Sequence, residues 1–374
     1  MDGQSRGAEG SRVNRSRFNL RRRQVLQAGF AAAVPLAIGK VAAEADPAQA
    51  QAPRPVLKPP MLRPGDTVGM VAPASNVYEP EEVQIAKETM ELYGFKVVLG
   101  QHINVQNGYL AGTDAQRAAD VNAMFRRPDI RGIVTFSGGY GCSRILPFLD
   151  YAQMQRSPKV IVGHSDITAL LIGIYQKTGL ITFHGSSGLT GVGDYAREHF
   201  RRAIMANQTI GAIAAPPAVP PGTVERNNRL ITIVPGRVTA PLIGGNLTLV
   251  TNLIGTPYEP DTRGKILFLE DIGEEPYRID RMLTQLWLAG KLQDAAGIAL
   301  GRFVDCYPKE FRASFFQTIS LENVLRDRLE SLGKPTLYNL MFGHVRENAV
   351  LPIGAMATLD ATRKTLEITE NAVV

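Results

Sequence analysis

The segment Gly163-His164-Ser165-Asp166 places a serine hydroxyl between a short apolar run and a helical pattern. A serine at the carboxyl end of a parallel strand stands exposed above the sheet, where it is suited to nucleophilic attack. The first amides of the following helix are unpaired, so the N–H of Asp166 could donate to an oxyanion. The segment departs from the G-x-S-x-G pattern, because Ile167 occupies the place of the second glycine. A Ser-Asp pair at a helix start is also a common N-cap, and on this segment alone both interpretations stay open.

A second loop with possible chemistry is the glycine-rich segment 137–141, which reads Ser-Gly-Gly-Tyr-Gly and leads into Arg144. Its three glycines let the backbone approach a ligand closely and point amides at it. A phosphate-binding loop would carry G-x-x-x-x-G-K-[ST] or G-x-G-x-x-G, and neither pattern is present here. A plain tight turn is the other interpretation.

A serine nucleophile needs a base, and the chain has five histidines: His102, His164, His184, His199 and His344. His344 is the best candidate, because it follows a β-rich run and precedes a turn-rich loop. His164 adjoins the serine, where neighbouring side chains generally point apart. His184 ends a predicted strand and could line the pocket. His102 and His199 lie in polar surroundings and are expected to be solvated.

The third member of such a site is an acid that orients the imidazole and stabilises its charged form. Glu270 and Asp271 both follow the apolar run 265–269, which is predicted to be a buried strand. An acid that emerges at a strand end is either a functional group or a helix cap. The pattern does not choose between the two residues.

Short β-rich runs alternate with helical patterns over residues 60–210, which is the rhythm of a parallel α/β sheet. Thr113 and Gln116 form a possible capping box at the start of one helix. We therefore predict a doubly wound N-terminal domain that carries the serine. The predicted strands are 67–72, 96–99, 130–136, 160–163 and 180–183, and the predicted helices are 81–93, 114–125 and 167–176.

A proline-rich stretch between Ile213 and Gly222 suits neither a helix nor a central strand, because proline lacks the backbone donor that both require. We place a linker at 211–236 and a smaller C-terminal domain of mixed α/β structure at 237–374. Its predicted strands are 266–269 and 297–303, its helices are 278–288 and 321–332, and a hairpin-like run spans 355–368.

The first 52 residues have the pattern of an export leader. Arg21, Arg22 and Arg23 precede an apolar, alanine-rich stretch at 28–38, which is too short to span a bilayer. Candidate cleavage sites with small residues, such as Ala50-Gln51-Ala52, follow this stretch. The pattern resembles a twin-arginine signal, with Arg21 where Ser or Thr is more usual. We expect a periplasmic protein with no stable membrane insertion after removal of the signal.

Most of the net positive charge of the chain lies in this leader. The formal charge is +6, and the first 52 residues hold eight Lys/Arg against four Asp/Glu. No stripe of basic residues interleaved with aromatics follows, so we expect no nucleic-acid partner. Cys142 and Cys306 are too few for a disulfide framework or a zinc site, and whether they pair stays open. We expect no metal.

Taken in order, these segments resemble the LD-carboxypeptidase family of serine peptidases, also called muramoyltetrapeptide carboxypeptidases. The resemblance covers nearly the whole chain after the leader. It rests on the following stretches: Leu62-Arg63-Pro64-Gly65-Asp66, Val71-Ala72-Pro73-Ala74-Ser75, Gly138-Gly139-Tyr140-Gly141, Arg144-Ile145-Leu146-Pro147, Gly163-His164-Ser165-Asp166-Ile167-Thr168, Gly244-Gly245-Asn246-Leu247, Phe268-Leu269-Glu270-Asp271, Tyr277-Arg278-Ile279-Asp280-Arg281, Gly343-His344 and Leu351-Pro352-Ile353-Gly354.

The resemblance implies a triad of Ser165 as nucleophile, His344 as general base and Glu270 as orienting acid. It also implies an oxyanion hole formed by the amides of Asp166 and Gly139.

For the fold, the resemblance implies a flavodoxin-like parallel sheet in the first domain and a smaller mixed domain that carries Glu270 and His344. It further implies a homodimer without a metal or an organic cofactor. The expected reaction is hydrolysis of the bond between the L-centre of a diamino acid and the terminal D-alanine of a murein tetrapeptide, in cell-wall turnover. Tyr140, His184 and Arg278 are the candidate substrate contacts.

Three residues near the expected pocket depart from the common family pattern: Ser137 in place of an arginine, His164 in place of an aromatic residue and Ser186 in place of a proline. They leave the triad intact and bear on the choice of substrate. One alternative is a peptidase like the microcin C self-immunity proteins, which cleave an acyl link to a modified nucleotide. The other is a muropeptide-binding protein that has lost catalysis.

Overall fold

The computed structural model describes residues 55–77, 79–136, 138–186, 193–213, 222, 224–225, 228–309 and 314–374. The predicted leader therefore lies outside the described residues. The described structure contains two sheets, and the buried faces of its helices supply the core. Within the described part, no helix combines the length and hydrophobicity required to cross a bilayer.

The first sheet has six strands in the order β12-β5-β4-β3-β1-β2. Strands β1 to β5 are parallel, and β12 pairs antiparallel with β5 at the edge. The five-strand order 2-1-3-4-5 is that of the flavodoxin-like fold, which confirms the predicted fold class. The strands are β1 (Thr67–Val71), β2 (Lys96–Leu99), β3 (Ile130–Thr135), β4 (Val160–Gly163), β5 (Thr182–His184) and β12 (Leu351–Ile353).

The second sheet has eight strands in the order β6-β14-β13-β8-β9-β10-β11-β7. Strands β8 to β11 are parallel, and the outer strands pair antiparallel. The strands are β6 (Gly211–Ala212), β7 (Ile231–Val234), β8 (Arg237–Asn246), β9 (Ile266–Ile272), β10 (Gly297–Val304), β11 (Thr336–Tyr338), β13 (Met356–Asp360) and β14 (Thr365–Ile368).

The described helices are α1 (Pro80–Leu92), α2 (Asp114–Arg126), α3 (Cys142–Ile145), α4 (Tyr151–Arg156), α5 (Ile167–Thr178), α6 (Asp194–Ile204), α7 (Leu247–Asn252), α8 (Pro276–Leu288), α9 (Lys291–Asp294) and α10 (Leu321–Leu329), with 3₁₀ turns at Leu146–Phe148 and Glu330–Leu332. The capping box at the start of α2 is confirmed, since Gln116 N donates to Thr113 Oγ1 and Thr113 N donates to the Gln116 side chain.

Helix α5 links the two sheets. It begins directly after Ser165 and packs against β4 and β5 of the first sheet and against β8 and α7 beside the second. Gly245 allows this close packing, because a Cβ there would lie 2.5 Å from Thr168 Cγ2 and its φ is +144°. The serine is therefore held at the junction of the two sheets.

The division into two domains with a linker at 211–236 stays a prediction. Part of that stretch lies outside the described residues, and Ile231–Val234 forms the edge strand β7. Residues 52–374 group into one compact unit by their contacts.

Candidate active site

Ser165 lies in the sharp turn between β4 and α5, and its φ is +62°. A left-handed backbone is uncommon for a residue other than glycine, and such strain concentrates at functional sites. The turn is held by hydrogen bonds from Ile167 N to His164 O at 3.2 Å and from Thr168 N to Ser165 O at 2.9 Å. The strand-turn-helix geometry of a nucleophile elbow is thus present without the second glycine of G-x-S-x-G.

Glu270 and His344 meet across 74 residues of sequence, with Nδ1 of His344 2.7 Å from Oε2 of Glu270. Glu270 is fully buried at the end of β9, whereas His344 is partly exposed. Gly343 has φ +118°, and a Cβ there would lie 2.9 Å from Glu270 Oε2, so only glycine lets the chain pass this close. Of the two acids that the sequence left open, Glu270 is the one in contact with His344.

Asp271 is buried beside Glu270 and contacts a different group of donors. It accepts hydrogen bonds from Asn246 Nδ2, Thr248 N and Ile272 N. Burial and the charge of Glu270 raise its pKa to about 6. Because Asn246 N also donates to Thr168 Oγ1 at 3.0 Å, this network joins the ends of β8 and β9 to helix α5.

His164, His184 and His344 lie close to one another, and their electrostatic environments differ. Burial and the nearby His344 lower the pKa of His164 to about 3, and the two rings lie 5.3 Å apart. Burial holds the pKa of His184 well below its usual range. Burial also acts to lower the pKa of His344, but the hydrogen bond and charge of Glu270 more than offset it, and the net shift is upward. His344 is thus the one of the three suited to take up a proton.

His184 is fully buried, and its Nε2 lies 3.7 Å from Oε1 of Glu270. Neither ring nitrogen of His184 has a hydrogen-bond partner among the described residues, and neither does this carboxylate oxygen. An unpaired buried polar atom costs about 1–3 kcal/mol. The two groups face each other at a separation slightly longer than a hydrogen bond, so a small movement would pair both.

The glycine-rich loop lies directly against Ser165. A Cβ on Gly138 would lie 2.7 Å from Ser165 Cβ and 3.0 Å from its Oγ, so a side chain at 138 would occupy the space of the serine. Ser75 holds the loop from the other side: its N donates to Gly138 O, and its Oγ accepts from Tyr140 N at 3.0 Å.

Two buried charged groups fix the far end of this loop. Arg117 donates from Nη1 to the carbonyl oxygens of Pro73 and Gly141. Cys142 N donates to Asp166 Oδ2 at 2.7 Å. The carboxylate that follows the serine therefore anchors the loop, and burial raises its pKa.

The amides of Gly139 and Asp166, expected to form an oxyanion hole, donate no hydrogen bond to any described residue. Gly139 has φ +95°, and the position of a Cβ on Gly138 is 3.3 Å from Asp166 N. Two unpaired amides beside a strained serine can stabilise a developing negative charge.

Two expected substrate contacts lie at the surface. Tyr140 is half exposed with its ring tilted against Tyr109, and Arg278 is paired with Glu274 at 3.7 Å. Within the described residues, no hydrogen bond or ion pair joins Tyr140 or Arg278 to the Glu270–His344 pair.

The expectation of solvation is wrong for His199, whereas His102 is partly exposed. His199 is buried and stacks on Tyr195, because α6 turns Ala196, His199 and Ala203 toward the core. His102 is bonded to the carboxylate of Asp120 at 2.8 Å. In α6 the i, i+3, i+7 spacing of these residues was the signal for burial. Cys142 and Cys306 are both buried and unpaired.

Sequence reasoning missed the supporting roles of Arg117, Ser75 and Asn246. Each acts through contacts with residues distant in the chain, and a motif read locally does not carry that information. Only Asn246 left a sequence signal, as an asparagine before an apolar helical run, which is a common N-cap.

Two family profiles and several known proteins match this chain. The profile of the LD-carboxypeptidase N-terminal domain matches residues 68–185, and that of the LD-carboxypeptidase C-terminal domain matches residues 239–359. A probable murein peptide carboxypeptidase of Bacillus subtilis is 40% identical over 316 residues, covering 83% of this chain and 94% of the relative. A murein tetrapeptide carboxypeptidase of Pseudomonas aeruginosa is 32% identical over 304 residues, covering 79% of this chain and 94% of the relative.

Among solved structures, this chain is similar to the microcin C7 self-immunity protein MccF in complex with aspartyl sulfamoyl adenosine. The TM-score is 0.74 at 29% identity, and the match covers 85% of this chain and 100% of the other.

Proposed function

Because this chain belongs to the LD-carboxypeptidase family of serine peptidases, we propose that it removes the terminal D-alanine from murein tetrapeptides by cleaving the bond to the preceding diamino acid. The observation that carries the proposal is the 2.7 Å contact between His344 and Glu270 at the junction that also holds the strained Ser165.

In the proposed mechanism Ser165 Oγ attacks the scissile carbonyl while Nε2 of His344 takes the serine proton. Glu270 accepts a hydrogen bond from Nδ1–H, which fixes the tautomer and stabilises the imidazolium. The amides of Asp166 and Gly139 donate to the oxyanion of the tetrahedral intermediate. His344 then gives its proton to the departing D-alanine amine, and a water molecule hydrolyses the acyl-enzyme on Ser165.

A carboxypeptidase also needs a group that binds the free terminal carboxylate. Arg278 and backbone amides remain our candidates, since a guanidinium and backbone N–H groups both donate to carboxylates. We further propose that the chain acts as a homodimer outside the cytoplasmic membrane, after export by the twin-arginine route. The leader pattern and the murein chemistry support that location.

The burial of His184 favours an action on Glu270 over a direct substrate contact. We expect His184→Phe to lower kcat/KM about tenfold, because it removes the imidazole that lies 3.7 Å from Oε1 of Glu270 and that a small movement would bring into hydrogen-bond distance of this carboxylate. The KM is expected to change little, and His184→Gln should restore part of the rate. Steady-state kinetics on the tetrapeptide provide the measurement.

The matched control is His199→Phe, which removes another buried histidine, one that packs on Tyr195 and has no hydrogen bond, ion pair or ring contact with the triad among the described residues. It should leave kcat unchanged. A rise in KM without a fall in kcat for His184→Phe would instead assign this residue to substrate binding.

The test of the proposed function is release of D-alanine from disaccharide tetrapeptide, followed by mass spectrometry. We expect release by the chain without its leader and none by Ser165→Ala. If neither releases D-alanine while Ser165 still reacts with a serine-directed probe, the triad is right and the substrate is wrong. Absence of labelling would favour a non-catalytic muropeptide-binding protein.

A second candidate substrate follows from the likeness to MccF, which was solved with aspartyl sulfamoyl adenosine. Presenting that compound in the same assay separates the two functions. Turnover of the nucleotide compound in preference to the tetrapeptide would make a self-immunity-type peptidase the better assignment.

A further inference from the structure

A groove of about 970 Å³ opens beside His344 at the carboxyl ends of β10 and β11. Ligands of α/β sheets bind outside the carboxyl ends of the strands, and pockets of about 300–1,000 Å³ hold small molecules. Because His344 forms part of its wall, a ligand in this groove lies next to the proposed base.

The groove has an excess of positive charge. Arg229, Arg302 and Lys364 line it. Arg302 Nη1 donates to the amide oxygen of Asn228 at 3.1 Å, and Lys364 Nζ donates to the carbonyl of Leu230 at 3.0 Å. These acceptors are neutral, and within the described part of the chain none of the three cations forms an ion pair with a carboxylate.

The two acids in the groove do not neutralise this charge. Glu322 is paired with Arg326 at 2.9 Å, which leaves Asp305 against the three cations. A cluster of unneutralised guanidinium groups is suited to a carboxylate, because the planar fork binds both oxygens at once.

Backbone strain marks the same place. The described residues other than glycine with positive φ are Ser165, Asp305, Asn339 and Lys364. All of them except Ser165 line the groove. Asparagine and aspartate tolerate this conformation, whereas lysine adopts it rarely. Strain of this kind gathers at ligand sites.

The backbone of Arg302 also contacts the segment that directly precedes His344. Its amide donates to Phe342 O at 2.9 Å, and its carbonyl lies 3.1 Å from the position of a Cβ on Gly343. A ligand held by Arg302 is therefore fixed relative to His344.

We propose that this groove, with Arg302 as its main contact, binds an internal carboxylate of the peptide whose scissile bond lies at Ser165. The proposal rests on the proposed function and adds a specificity-determining residue to it. In a murein tetrapeptide this internal carboxylate is the α-carboxylate of the glutamate that precedes the diamino acid. The enzyme then prefers peptides in which that group is free over those in which it is a primary amide.

The test measures binding apart from hydrolysis, by calorimetry in a Ser165→Ala background. The probes are the tetrapeptide with a free glutamate α-carboxylate and the same peptide with that group amidated. We expect Arg302→Gln to raise the Kd of the carboxylate form about tenfold and to leave the Kd of the amidated form unchanged. Arg131→Gln, which removes an exposed arginine outside the groove, is the matched control and should change neither.

An equal Kd for the two peptides, or no change in Arg302→Gln, would overturn the groove proposal while D-alanine release by the active chain still supports the proposed function. Conversely, a selective loss in Arg302→Gln without any D-alanine release would retain the groove and overturn the reaction. Equal thermal midpoints of the variants will show that each is folded.

Discussion

Glu270→Gln is expected to lower kcat/KM on the tetrapeptide about 10⁴-fold, the size of the loss when the orienting acid of a serine triad becomes an amide. The amide can turn its NH₂ group toward Nδ1, which favours the wrong tautomer of His344, and it leaves the imidazolium without a counter-charge. Steady-state kinetics give the rate, and thermal unfolding shows whether the variant is folded.

The pH profile supplies an independent signature of the same contact. The base must be neutral to accept the serine proton, so activity falls as pH drops through the pKa of His344. Because that pKa is raised above 6.5, the acid limb of kcat/KM should lie above this value in the wild type. In Glu270→Gln burial remains and the raising partner is gone, so the limb should move to lower pH.

Glu275→Gln provides a matched control, because Glu275 is another buried carboxylate just beyond β9 and bonds to Ser314 instead of a histidine. We expect a change in kcat/KM of less than threefold and no shift of the acid limb. Comparable losses in the two variants would mean that Glu270 acts on the fold and not on His344.

Ser165→Ala and Ser165→Gly are both expected to remove activity by about 10⁶-fold, as loss of a serine nucleophile does in other triads. Their stabilities should differ, because only alanine carries a Cβ in the left-handed conformation at φ +62°. A Cβ there costs about 1–2 kcal/mol, partly offset by the greater chain entropy of glycine when unfolded. The glycine variant should therefore be more stable by about 1 kcal/mol in urea unfolding.

Ala169→Gly is the contrasting exchange, at a buried position in the first turn of α5. There the loss of a methyl group and of helix propensity should destabilise the protein by about 1 kcal/mol or more. If Ser165→Ala proved as stable as Ser165→Gly, the backbone of the serine would not be strained in solution.

The first sheet was predictable because its parallel strands are short apolar runs between helical patterns, and their bounds shifted by no more than a few residues. Strand β8 was not predicted, and it contains Pro241 and the pair Gly244-Gly245, residue types that are uncommon inside strands. The proline pairs in register with Met356, and Gly244 is needed where a Cβ would lie 1.9 Å from Phe268 O. A local sequence pattern does not show how closely two strands approach each other.

At the site, the place of Ser165 between a strand and a helix made it a candidate nucleophile, but its assignment and the choice of Glu270 over Asp271 both came from the resemblance. The adjacent carboxylates point to different partners, His344 for one and Asn246 for the other. Which way each side chain points depends on register within β9 and on contacts far along the chain. For the same reason the sequence placed His184 in a pocket, and the structure buries it behind Glu270.

Activity can begin only after strand β12 has been synthesised. It follows the base by only seven residues and completes the edge of the nucleophile sheet by pairing with β5. A nascent chain that has not yet reached Ile353 lacks this cover, so the edge of β5 stays open to other strands and the base has no fixed position. A ribosome must therefore synthesise the chain beyond Ile353 before any copy can hydrolyse a peptide, and a chain that stops earlier is inactive and prone to aggregate.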